Sequence, residues 1–104
     1  MSEKRIKKLA LKYKLILVKN GIPVSGIYLF GSHARGAARQ GSDIDFCVVS
    51  RSFGKNDFQE MVRINQFAKL TSPEIEAFPV SEEEFGKKIN PFIVEALKTG
   101  KKII

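Results

Sequence analysis

Apolar residues recur at steps of three and four through the first twenty positions. Ile6, Leu9, Ala10, Tyr13, Ile16 and Leu17 share one face with lysines between them, which predicts an amphipathic helix over residues 3 to 20. Asn20 and Gly21 stop it, and Pro23 prevents its resumption. Residues 25 to 30 then read as a buried strand. Gly31 and Ser32 break that strand, and His33, Ala34 and Arg35 can begin a short helix. Residues 43 to 50 read as a second strand. A helix follows from about Asp57 to Leu70, offering Phe58, Met61, Val62, Phe67 and Ala68 to the core. Residues 73 to 80 predict a third strand, and Pro73 and Pro79 near its ends suggest a sheet edge or short pairing. Ser81 and Glu84 have the spacing of a capping box. Asn90 and Pro91 supply an N-cap and a first-turn proline for a last helix. Its apolar face is Phe92, Ile93, Ala96 and Leu97, and Gly100 ends it.

This order of helix and strand patterns predicts an α+β domain of two layers, a small mixed β-sheet with helices packed on one face. The 104 residues suffice for one domain spanning 1–104. No repeat, low-complexity tract or linker interrupts them. Cys47 is the only cysteine, so no intramolecular disulfide can form. No secretory apolar segment is evident, and no run approaches the roughly 20 apolar residues of a membrane span. The expected location is the cytoplasm, with no membrane partner.

Charge changes the picture. The formal net charge is +7, which favours anionic partners: nucleotides, nucleic acid, acidic protein surfaces or anionic membranes. Lys4, Arg5, Lys7, Lys8, Lys12, Lys14 and Lys19 concentrate in the first helix. They read as its solvated face or as a landing surface for phosphate or a partner.

The candidate chemistry lies around the first two strands. Asp43 and Asp45 are two residues apart on a strand pattern, so both carboxylates face one side while Ile44, Phe46 and Val48 face the other. Adjacent carboxylates repel unless a cation neutralises them. Magnesium suits such a pair, because it takes oxygen ligands and commonly shares one or two carboxylates with substrate phosphates. Taken alone, the pair also fits two ordinary acids on a solvated strand end. Gly31 lets the backbone approach a ligand closely, and Ser32 can donate to phosphate or cap a helix. Taken alone, these two also fit a plain turn. Cys47 falls on the face of Asp45 but deeper, and reads as a packed small residue rather than a nucleophile. Tyr13 and Tyr28 read as core residues.

The two segments together, Leu29-Phe30-Gly31-Ser32-His33-Ala34-Arg35-Gly36 and Gly41-Ser42-Asp43-Ile44-Asp45, resemble the minimal nucleotidyltransferases of the DNA polymerase beta-like nucleotidyltransferase superfamily. The resemblance implies the nucleotidyltransferase fold and a third metal-binding carboxylate on the third strand. Glu74 and Glu76 are the candidates, and the family spacing selects Glu76, although many relatives use Asp there. It further implies that Asp43, Asp45 and Glu76 hold two magnesium ions and that ATP or another nucleoside triphosphate is the nucleotide substrate. Gly31 and Ser32 would hold the terminal phosphates. Arg35 would touch phosphate or pair with an acid, and Ser42 would orient Asp43 or a nucleotide group. Arg39 is a weaker phosphate candidate, and His33 occupies a variable place in the motif.

At this length the chain is expected to lack the helical domain that shapes the acceptor pocket in larger relatives. The resemblance therefore implies an acceptor on another protein, a tyrosine of a HEPN-domain toxin that receives AMP, with this chain as its antitoxin. Two other classes compete. One is an antitoxin or binding module that neutralises a partner by docking without catalysis. The other is a basic nucleic-acid-binding domain, supported by the lysines and weakened by the absence of an RNA-stacking motif. Exposed sheet edges leave room for a homodimer or a hetero-oligomer.

Overall fold

The computed structural model describes residues 3–31, 43–87 and 101–104. Helix α1 (Glu3–Lys19) leads into strand β1 (Gly26–Phe30), and strand β2 (Ile44–Ser50) is followed by helix α2 (Asp57–Thr71). Strand β3 (Ile75–Ser81), the short helix α3 (Glu82–Lys87) and the two-residue strand β4 (Lys101–Lys102) complete the described elements. The expected helices at His33 and after Asn90 lie outside the described residues.

The sheet order is β3-β2-β1-β4. β1 runs antiparallel to β2 and β4, and β3 runs parallel to β2, so the sheet is mixed as anticipated. The period-two pattern of β2 divides the molecule. Ile44, Phe46 and Val48 enter the main core with Ile6, Ala10, Tyr13 and Leu17 of α1 and Ile64 and Ala68 of α2. The opposite face carries a smaller cluster of Cys47, Val49 and Val80, backed by Tyr28, Phe30 and Phe85. The two long helices thus seal one face, and α3 lays Phe85 against Tyr28 on the other, with ring centroids 4.9 Å apart.

Local chemistry explains the boundaries. At the end of α1, Ile22 N–H donates to the Leu17 carbonyl and Gly21 N–H to that of Val18. This is a Schellman cap, and Gly21 supplies its left-handed residue at φ 81°. Asn56 caps α2 by accepting from Gln59 N–H at 3.0 Å. Glu60 folds back to accept from the N–H groups of Gly54, Lys55 and Asn56, fixing the approach to the helix. The capping serine of α3 is Ser81, whose Oγ accepts from Glu84 N–H at 3.0 Å. Tyr13 is fully buried, and its hydroxyl donates to the Ile64 carbonyl at 2.6 Å, tying α1 to α2.

The proline-bearing strand β3 does form an edge, and α2 covers its open side. Asn65 donates to the Ala77 carbonyl and accepts from Ala77 N–H, while Lys69 Nζ donates to the Ile75 carbonyl. Pro79 has no N–H to offer. These contacts leave little free ladder for another strand to extend.

Two expectations need correction. Phe58, Met61 and Val62 do not join the core: they are 77%, 37% and 44% exposed. The capped start at Asn56 fixes the rotation of α2 so that Ile64, Ala68 and Thr71 face inward. β4 was not anticipated, because two adjacent lysines carry no strand periodicity. Pairing with Tyr28 and Leu29 creates it, and Ile27 N–H donates to the Ile104 carbonyl beside it.

Candidate active site

The carboxylates are positioned by strand register. Phe30 of β1, Asp45 of β2 and Glu76 of β3 are direct partners, so they form one row across the sheet. Partnered residues on adjacent strands share a face at a spacing of about 5 Å. That face is the one opposite the α1–α2 core, because Ile44 and Phe46, on either side of Asp45, enter the core. Asp45 and Glu76 are half-buried, and Asp43 is exposed one residue before β2. Among the described residues, no three acidic, histidine or cysteine side chains are gathered tightly enough to form a ready metal centre. Register brings Asp45 and Glu76 together, and Asp43 remains at the solvated mouth of the strand.

Glu74 is placed differently. It lies 3.6 Å from the Arg5 guanidinium of α1, and its carbonyl accepts from Ile44 N–H at 2.8 Å. Of the two glutamates, Glu76 is the one that partners Asp45.

Gly31 ends β1 against this row. Its φ is 75°, a region that side chains disfavour, and a Cβ there would collide with Asp45 Oδ2. Without a side chain, Gly31 lets the Asp45 carboxylate lie directly against its backbone. Ser32, Arg35 and Ser42, the other sequence candidates, lie outside the described residues, as do His33 and Arg39.

The next row is Tyr28, Cys47 and Phe78, with Lys102 partnering Tyr28 from β4. Phe30 and Phe78 meet edge to face at 5.3 Å between centroids, forming an aromatic floor beside the acids. Cys47 is completely buried. Burial, reinforced by the charge of Glu84, pushes its thiol from 9.0 up to about 12, so it stays protonated. It packs, as its sequence position suggested. The place of Phe30 was missed in the sequence; the signal was its position directly before Gly31, on the strand that pairs with the acids.

The donor set can be tested against magnesium by its chemistry. Asp45 and Glu76 offer only carboxylate oxygens, the ligands a hard dication prefers, and strand register sets them side by side where the bare Gly31 backbone meets Asp45. These residues fit such an ion.

The sheet order and the acid-bearing strand pair define a small α+β domain with two carboxylates side by side on its free face. Residues 7–103 match the family model described as nucleotidyltransferase domain, and the chain belongs to that family. Its structure is similar to that of a protein from Sulfolobus solfataricus described as a candidate nucleotidyltransferase. That likeness has a TM-score of 0.67 at 22% identity, over 96% of this chain and 80% of the other. It is also similar to a toxin–antitoxin structure with AMP-PNP (TM-score 0.57, 24% identity, all of this chain and 73% of the other). A third similar structure is a toxin–antitoxin MntA–HpeT variant in which two aspartates, two residues apart, are changed to glutamate. Its TM-score is 0.56 at 22% identity, again over all of this chain and 73% of the other. None of the curated proteins matches. Among the described residues, no helix is long and apolar enough to cross a membrane.

Proposed function

We propose that this chain is a magnesium-dependent nucleotidyltransferase of the minimal type, transferring AMP from ATP to a hydroxyl on a partner protein. The observation that carries this reading is the row of Asp45 and Glu76 beside the side-chain-free Gly31, in a chain of the nucleotidyltransferase domain family. Asp43, Asp45 and Glu76 would hold the metal, with exposed Asp43 turning toward the other two. When bound, magnesium neutralises the triphosphate and stabilises charge developing in an in-line displacement. Gly31 and Ser32 hold the terminal phosphates, and Arg35 adds a cation to phosphate or fixes the loop through an acid. Ser42 orients Asp43. Glu76 takes the proton from the acceptor hydroxyl on a carboxylate oxygen. That hydroxyl oxygen bonds to the α-phosphorus, the bond from it to the bridging oxygen breaks, and pyrophosphate leaves.

Two of the similar structures are toxin–antitoxin complexes, which supports an acceptor on a toxin and an antitoxin role for this chain. A tyrosine of a HEPN-type toxin is the acceptor that fits. A second reading, neutralisation by docking alone, is favoured by apolar residues that α1 turns outward. Incubation of the co-expressed pair with α-labelled ATP and magnesium tests both. The transfer reading expects label on the partner, with Asp45→Asn lowering it by about 100-fold or more. A double Asp43→Asn/Asp45→Asn variant that neutralises the partner as well as the wild type would contradict catalysis as the mechanism.

A further inference from the structure

Helix α1 has two apolar faces. The first is the core face of Ile6, Ala10, Tyr13 and Leu17. The second is Leu11, Leu15 and Val18, which are 45%, 69% and 50% exposed. Their spacing of four and then three residues places them at the d, a and d positions of a heptad, on the side of the helix away from the core. Spacing them this way brings three apolar side chains into line over two turns.

The flanks of that line are entirely basic. With Leu15 at position a, the e positions are Arg5, Lys12 and Lys19, and the g positions are Lys7 and Lys14. Arg5 is engaged by Glu74, which leaves four lysines bordering the seam. Lys4 and Lys8 continue the same line toward the start of the helix, and Glu3 is the only acid in α1. Flanking e and g charges choose the partner of a helical seam and its orientation. Here they disfavour a second copy of this chain, whose lysines would meet like charge. A lipid surface is also a poor match, because the wide apolar face of this amphipathic helix is already buried and only three residues remain to insert.

We infer that the outward face of α1 is a docking seam for a helix of another protein that carries apolar a and d residues and acidic e and g residues. The inference rests on the reading above that the chain works with a protein partner, and it names the surface that partner uses. Docking there also leaves the acid-bearing face of the sheet, on the far side from α1, open to substrate.

The probe is a fluorescent peptide of three heptads with Leu at a and d and Glu at e and g, titrated with the full chain by anisotropy. A control peptide carries Lys at e and g. The expected result is binding of the Glu peptide with at least about tenfold preference over the Lys peptide. Leu15→Asp should weaken it by about tenfold or more with an unchanged circular dichroism spectrum, since Leu15 is surface-exposed. A triple Lys7→Glu/Lys12→Glu/Lys19→Glu variant should reverse the preference. Equal binding of both peptides, or indifference to Leu15→Asp, overturns the proposal. So does Leu15-dependent binding to phosphatidylserine vesicles, or Leu15-dependent self-association in sedimentation. No nucleotide or metal is present, and Asp45→Asn should bind the peptide as the wild type does. Failure of docking is thereby distinguished from failure of the transfer reading.

Discussion

The two faces of β2 use the same backbone for opposite purposes. On one, Ile44, Phe46 and Val48 are fully buried and hold the strand against α1 and α2. On the other, Asp45 is half-buried at the open end of the strand, and Cys47 and Val49 are buried behind it. A strand reverses side-chain direction at every residue, so a core position and a site position can be one residue apart without sharing an environment. The apolar face thus holds the strand rigid, and the candidate acids Asp45 and Glu76 stand on the other face in the last row before Gly31.

Substitutions on the two faces should therefore separate. Phe46→Ala should have the largest effect, a loss of about 3–5 kcal/mol in denaturant unfolding, because the ring is sealed in the main core beside Tyr13. A loss below about 1 kcal/mol would break the distinction between the faces. Gly31→Ala comes next. The added methyl meets Asp45 Oδ2 and occupies a positive-φ position, so about 1–3 kcal/mol of strain is expected locally. Transfer activity should drop further than stability does, and a variant with unimpaired transfer would show that the close approach of Gly31 to Asp45 is dispensable.

The smallest effect concerns pH. The Cys47 thiol is held up to about 12 in the folded chain, against 9.0 for an unperturbed thiol. The folded state therefore binds the proton more tightly, and its stability is complete below about 9. Stability then declines as pH rises through the window between 9.0 and about 12. The buried Tyr13 hydroxyl, also raised by desolvation, adds to the decline at the alkaline end. Unfolding midpoints measured at pH 8 and pH 10.5 should differ by less in Cys47→Ala than in the wild type. An identical pH slope would remove Cys47 from the account.

The division of β2 was legible because alternation is a short-range rule: Ile44, Phe46 and Val48 could be assigned to the core from spacing alone. The Schellman stop at Gly21 and the Ser81 cap were legible for the same reason. The partnering of Asp45 with Glu76 needed more, since a parallel register between strands separated by a helix is set by tertiary packing. Resemblance pointed to Glu76, and register places that residue beside Asp45 while Arg5 of α1 pairs with Glu74. The rotation of α2 was misread because Phe58, Met61 and Val62 are apolar in a helix whose inward face is set by Ile64 and Ala68. Nothing in the local pattern ranks one stripe above the other. β4 was invisible because its partner strand, rather than its own residues, makes it a strand.

The most direct test is divalent-cation binding at the acid row. Manganese, standing in for magnesium, can be followed by electron paramagnetic resonance with ATP present, comparing the wild type with Asp45→Asn and Glu76→Gln. Each substitution should weaken protein-bound manganese by about tenfold or more while thermal unfolding stays within a few degrees. Undiminished binding in both folded variants would contradict it.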